Sequence, residues 1–149
     1  MRDKVRGIGV LIRKELANTV TFLNLTLGCS AIFYIFSEKY FLAAIFIIIA
    51  TLLDRLDGRI ARKLSVVSEF GKELDSLADL VSFGVAPSLL IWTLILNTVW
   101  YGFFITIVYV LSGAFRLARF NTGNNSGYFI GVPITIAGFF MAVLSIFVY

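Results

Sequence analysis

The chain has 149 residues, of which 59% are hydrophobic and only 15% charged, with a mean hydropathy of +0.92. That balance excludes an ordinary soluble domain and points to a multi-span membrane protein, one domain by length. Histidine is absent, which excludes His-based catalysis and His-ligated zinc, and the single cysteine, Cys29, excludes an intrachain disulfide. The net charge of +4 is read as facing anionic lipid, not nucleic acid, and no acidic residue follows Asp79. The first long apolar run lacks a small-residue cleavage site, so no cleavable signal peptide is expected.

Residues 1–16 carry Arg2, Lys4, Arg6, Arg13 and Lys14 beside Val5, Ile8, Leu11 and Ile12. This pattern predicts an amphipathic juxtamembrane helix lying on an anionic membrane face. The remainder, 17–149, is expected to form one transmembrane domain. Its first span, about 17–36, opens with Asn18, Thr21 and Asn24 spaced by three, so they drift around one face. They serve either as cap and interhelical hydrogen bonds or as contacts for the nucleotide end of a substrate.

A turn at Ser37–Tyr40 precedes the second span. Residues 41–53 are 13 apolar positions, about 20 Å of helix, short of a hydrocarbon core of about 30 Å. The helix is therefore expected to continue through Asp54 and Asp57, placing both acids just inside the membrane, where an acid is functional by default. A third span covers about 70–96, with Ser68 as its cap and a kink at Pro87. Ser76, Ser82 and Gly84 on it face either a partner helix or the site. Trp100 and Tyr101 read as interfacial aromatics at the start of a fourth span, about 99–120. That span ends in Arg116 and Arg119, which suit lipid phosphate or an anionic substrate group equally. A Gly/Asn-rich loop leads to a fifth span, about 128–149. The expected fold class is thus all-α, a polytopic transmembrane helix bundle of five spans. Lys/Arg cluster at the N-terminus, on 55–72 and on 116–119, with Lys39 the exception. This places those segments, and the active site, at the cytoplasmic face of the cell membrane.

The chemistry concentrates in 54–79. Asp54 and Asp57 are three apart; Asp75 and Asp79 are four apart. On two packed helices the four carboxylates converge, repel one another and resist desolvation. Divalent cations relieve that conflict. An all-oxygen set favours magnesium or manganese, with calcium as a further occupant. Four acids suit two ions about 3.5–4 Å apart, the arrangement used for in-line displacement at phosphorus. Gly58 and Gly71 suggest close approach of a ligand or backbone, and Arg62 can hold an anionic oxygen. The bland alternative pairs the aspartates with Arg55, Arg59, Arg62, Lys63 and Lys72.

Asp54-x2-Asp57-Gly58-x2-Ala61-Arg62-x8-Gly71-x3-Asp75-x3-Asp79 resembles the signature of the CDP-alcohol phosphotransferase family at every fixed position. The run from Ser68 to Pro87, Arg116-Leu-Ala-Arg119-Phe-Asn121, and Phe129-Ile-Gly131-Val-Pro133 resemble its phosphatidylserine synthase branch. Ala17 replaces a proline that the family often has before Asn18. The resemblance implies transfer of the phosphatidyl group of CDP-diacylglycerol to the hydroxyl of L-serine, with release of CMP. It implies Asp54, Asp57, Asp75 and Asp79 as metal ligands, and Asp79 also as the general base. It implies Asn18, Thr21, Asp57, Gly58, Ala61, Arg62, Gly71 and Ser76 at the CDP-lipid, and Arg116, Arg119 and Asn121 at the acceptor. It also implies a core of six spans where five are legible, so that either the chain is truncated or another subunit, as in a homodimer, fills the gap. Open alternatives are glycerol phosphate or inositol phosphate as acceptor, an archaeal CDP-lipid, or, outside the enzymes, a divalent-cation transporter.

Overall fold

In hydrocarbon no water is available to the backbone, so an apolar run must satisfy its N–H and C=O groups internally, and the helix does this. The computed structural model describes the backbone of residues 2–64, 69–122 and 132–149, and the side chains of 18–55, 69–122 and 132–149. It contains α1 (Arg2–Phe36), α2 (Tyr40–Leu64), α3 (Glu69–Asp79), α4 (Ala86–Leu94), α5 (Gly102–Thr122) and α6 (Ile134–Val148). No strand occurs among the described residues, so the all-α expectation holds. Asn18–Phe36, Glu69–Leu94 and Gly102–Thr122 are each long and apolar enough to cross a membrane, and Ile134–Val148 is a shorter apolar helix. The chain is a multi-pass membrane protein.

The backbone of α1 runs continuously from Arg2 to Phe36, and the side chains of its basic part lie outside the described residues. Two boundaries differ from the sequence reading. The third span is Glu69–Leu94, and its irregularity is a π-helical turn, Leu80–Val85, upstream of Pro87. The fourth helix begins at Gly102, after a short 3-10 turn at Leu96–Thr98. The expected Ser68 cap and the Gly/Asn-rich loop lie outside the described residues.

The turn between α1 and α2 closes tightly. Lys39 N–H donates to the Tyr34 carbonyl (2.9 Å) and Glu38 N–H to the Ile35 carbonyl (3.0 Å). These are the two bonds of a Schellman cap, and they place Glu38 in the left-handed region, φ 59°.

The core is built mostly from small side chains. Ala31 on α1, Ala43, Ala44 and Ala50 on α2, Ala86 on α4 and Ala142 on α6 are fully buried, around Ile47, Phe83 and Leu90. Lipid is as apolar as leucine, so membrane helices gain by close backbone approach and van der Waals contact, which small residues permit. A Cβ added at Gly138 would lie 2.8 Å from the Phe83 carbonyl oxygen and 2.9 Å from its Cα, so α6 meets the π-helical turn backbone to backbone. Ser82 and Gly84 are buried in the same region, which is the packing role of the two weighed for them. By contrast α5 is peripheral: only 6% of its apolar stretch is buried, and Phe103, Phe104, Val108, Leu111 and Phe115 face outward.

The bundle has two chemically different ends. One holds the C-terminal part of α2 together with α3 and the end of α5, the latter two joined through Lys72, Ser76 and Asn121. The other holds the tight turn at Glu38, exposed Trp100 and Tyr101, and the edge-on contact of Tyr40 with Tyr149, ring centroids 5.8 Å apart.

Candidate metal centre

Asp75 and Asp79 are one turn apart on α3, so their carboxylates leave the helix on one side. Asp54 stands on α2, where the apolar run ends. One oxygen from each of the three lies within 4.8 Å of the others, and all three residues are half-buried. At that separation each pair of carboxylates repels by about 3 kcal/mol at an effective dielectric constant of about 20. A shared cation reverses the sign of that interaction.

The spacing fits such an ion. Oxygens that share one divalent cation lie no more than about 4–5 Å apart, and the trio falls within that range. Three carboxylates without nitrogen or sulfur also suit a hard cation by donor chemistry. Asp54, Asp75 and Asp79 therefore form a candidate site for one divalent cation. Asp57, the fourth acid of the pattern, has its side chain outside the described residues, as do Gly58, Ala61 and Arg62.

The rest of this end is organised by hydrogen bonds between α3 and α5. Asn121 Nδ2 donates to Ser76 Oγ (2.9 Å), and Ser76 Oγ donates to the Lys72 carbonyl one turn back (3.1 Å). Lys72 Nζ donates to the Asn121 carbonyl (3.2 Å) and lies 5.7 Å from the centroid of the Phe120 ring. Ser76 and Asn121, assigned by sequence to different substrates, are thus direct partners. Lys72 was not foreseen in this role. Beside them a cavity of about 300 Å³ is lined by Glu69, Lys72, Glu73 and Asn121. Of the two arginines expected at the acceptor, Arg116 is half-buried and Arg119 is exposed. Gly71 is half-buried on α3.

On α1, Asn18 is half-buried while Thr21 and Asn24 are buried, at 4% and 2% exposure. Asn24 was not among the chosen site residues, although its three-residue spacing from Thr21 carried the signal. Its backbone carbonyl accepts from Ser82 Oγ (3.0 Å). Its Oδ1 is buried with no hydrogen-bond partner among the described residues, and a buried acceptor left so is costly.

The family model described as CDP-alcohol phosphatidyltransferase matches residues 14–149. A CDP-diacylglycerol–serine O-phosphatidyltransferase of Helicobacter pylori is 42% identical over 124 residues, 80% of this chain and 52% of the relative. The protein of the same name from Bacillus subtilis is 41% identical over 128 residues, 85% of this chain and 72% of the relative. That from Methanocaldococcus jannaschii is 42% identical over 125 residues, 83% of this chain and 57% of the relative. The chain spans about half the length of the Helicobacter relative.

Proposed function

The chain belongs to the CDP-alcohol phosphatidyltransferase family, and from that premise we propose that it moves the phosphatidyl group of CDP-diacylglycerol to the hydroxyl of L-serine, yielding phosphatidylserine and CMP. The observation that carries this reading is the convergence of Asp54, Asp75 and Asp79 at signature positions of that family. Serine is chosen as acceptor because the bacterial and archaeal relatives at 41–42% identity are named for it. The enzyme reading is preferred over a cation transporter, which would need the carboxylates but no nucleotide-transferase signature.

In this mechanism the serine oxygen attacks the lipid-side phosphorus in line with the bridging oxygen, the bond to that oxygen breaks, and CMP leaves. The proton of the serine hydroxyl passes to the carboxylate of Asp79, which acts as general base. Asp54, Asp57, Asp75 and Asp79 would hold the divalent cations, two in number, whose charge offsets that of the pyrophosphate and of the departing phosphate. Gly58 and Gly71 would admit the cytidine, with Asn18, Thr21, Ala61, Arg62 and Ser76 around the CDP-lipid. Arg116, Arg119 and Asn121 would receive the acceptor. A homodimer spanning the cell membrane, with its active site at the cytoplasmic face, completes the proposal.

The deciding experiment is CMP release from the purified full chain in lipid–detergent micelles, with and without L-serine, glycerol phosphate and inositol phosphate. Serine-dependent release that stops on chelation of divalent cations is expected. Release driven equally well by another acceptor would reassign the substrate, and none with any acceptor would refute the transferase reading.

A further inference from the structure

α3 packs against α1 along one side and leaves the other open. Ala78 is its one buried residue, while Glu69, Phe70, Glu73 and Leu77 are exposed. The segment that follows is anchored: Phe83, Ala86 and Leu90 are fully buried and Ile91 nearly so. The rotation of α3 about its axis, and so the direction of Asp75 and Asp79, is set by its seat on α1 and by the joint to this anchored segment.

That joint is the π-helical turn Leu80–Val85, which begins at the residue after Asp79. A π-turn accommodates one residue more than an α-turn, which rotates the helix before it by about 100° relative to the helix after it. Ala86 N–H bonds five residues back, to the Val81 carbonyl. Pro87 follows and has no N–H. In a regular α-helix residue 87 would serve the carbonyl of Phe83. Instead the Tyr109 hydroxyl, from α5, donates to that carbonyl at 3.0 Å. Ser82 Oγ on the Asn24 carbonyl and the close approach of Gly138 hold the turn from α1 and α6. Tyr109 supplies the donor that the proline cannot.

We propose that Tyr109 is a positioning residue for the acidic cluster: its hydroxyl, on the Phe83 carbonyl, fixes the π-helical turn and thereby the angle at which Asp75 and Asp79 together meet Asp54. The proposal rests on the reading of that cluster as a cation site of a transferase. Together with Asn121 on Ser76, it gives α5 one hydrogen bond to α3 itself and one to the turn that follows it.

The test uses the full chain and reads Mn2+ binding by electron paramagnetic resonance without substrate, alongside thermal unfolding and turnover. Tyr109→Phe is expected to weaken Mn2+ binding about tenfold and to lower kcat by a similar factor, with KM for serine and CDP-lipid within about twofold. Thr93→Val, which removes a hydroxyl bonded only to its own helix at Leu89 and Leu90, stays within about twofold throughout. Pro87→Ala guards against a Tyr109→Phe protein that does not fold. It restores an N–H, lets the segment pair as α-helix, and should weaken Mn2+ binding while thermal stability holds or rises. Wild-type Mn2+ affinity in Pro87→Ala, or in a folded Tyr109→Phe, would overturn the proposal. Because Mn2+ is read without substrate, a wild-type chain that binds Mn2+ but releases no CMP would sink the transferase reading and leave this one standing.

Discussion

Asn in place of Asp79 keeps the shape and one acceptor oxygen of the side chain but can neither take a proton nor carry charge. Two losses should follow, and the structure allows them to be separated. Asp79 shares its 4.8 Å trio with Asp54 and Asp75, so the substitution removes one of three charged ligands. If the cation dissociation constant rises tenfold, the stabilisation by saturating cation falls by about 1.4 kcal/mol. For a chain of this size that corresponds to roughly 3–5 °C less metal-induced rise in melting temperature. Asp54→Asn should show the same deficit. The second loss belongs to Asp79 alone: without a general base, turnover falls by about 10²-fold or more. The assay is serine-dependent CMP release titrated with Mn2+. Raising Mn2+ should restore much of the activity of Asp54→Asn and leave Asp79→Asn at least about 10²-fold down. Recovery of Asp79→Asn to the level of Asp54→Asn would make Asp79 a ligand only. Near-normal turnover at ordinary metal concentration would refute both roles.

Arg116→Lys should raise the KM for serine more than that for CDP-lipid in steady-state kinetics, because lysine loses the bidentate fork that holds a carboxylate; an equal rise would assign Arg116 to lipid or structure. In a Cys29→Ser background, cysteine at exposed Glu69 should label from the cytoplasmic side and cysteine at exposed Thr98 from the other, and the reverse would invert the placement of the active site. Gly138→Ala puts a methyl 2.8–2.9 Å from Phe83 backbone atoms, an overpacking of about 1–3 kcal/mol. It should lower the melting temperature in detergent by several degrees, and a wild-type value would show that α6 can back away without loss.

The acids and the helices were legible because both follow from local rules. An apolar run in hydrocarbon must be helical, and acids four apart must share a side, so Asp75 and Asp79 could be paired from spacing alone. That Asp54 joins them required only that α2 end its apolar stretch at the same bundle end. The tyrosine–proline arrangement was not legible in this way. The kink was expected at Pro87, but what matters is a carbonyl that the proline leaves unserved and a hydroxyl that lies 26 positions along the chain. The Lys72–Asn121 bond spans 49 positions and has no local signal either. Nor did Glu38 announce its left-handed backbone, since glycine or asparagine is the residue that marks such a position.

That tight turn bears on how the chain enters the membrane. In the proposed orientation Ser37–Tyr40 must be carried across the bilayer, and so must the stretch from Leu96 to Tyr101. Glu38 and Lys39 are the ionic side chains of these two segments, and their charges cancel. Moving one elementary charge through the membrane potential costs or gains about 2.3 kcal/mol per 100 mV, so translocation of these two segments moves no net side-chain charge through that field. The α1–α2 hairpin can therefore insert at the same electrical cost in a polarised or a depolarised cell, and its orientation is left to the cationic flanks that stay behind.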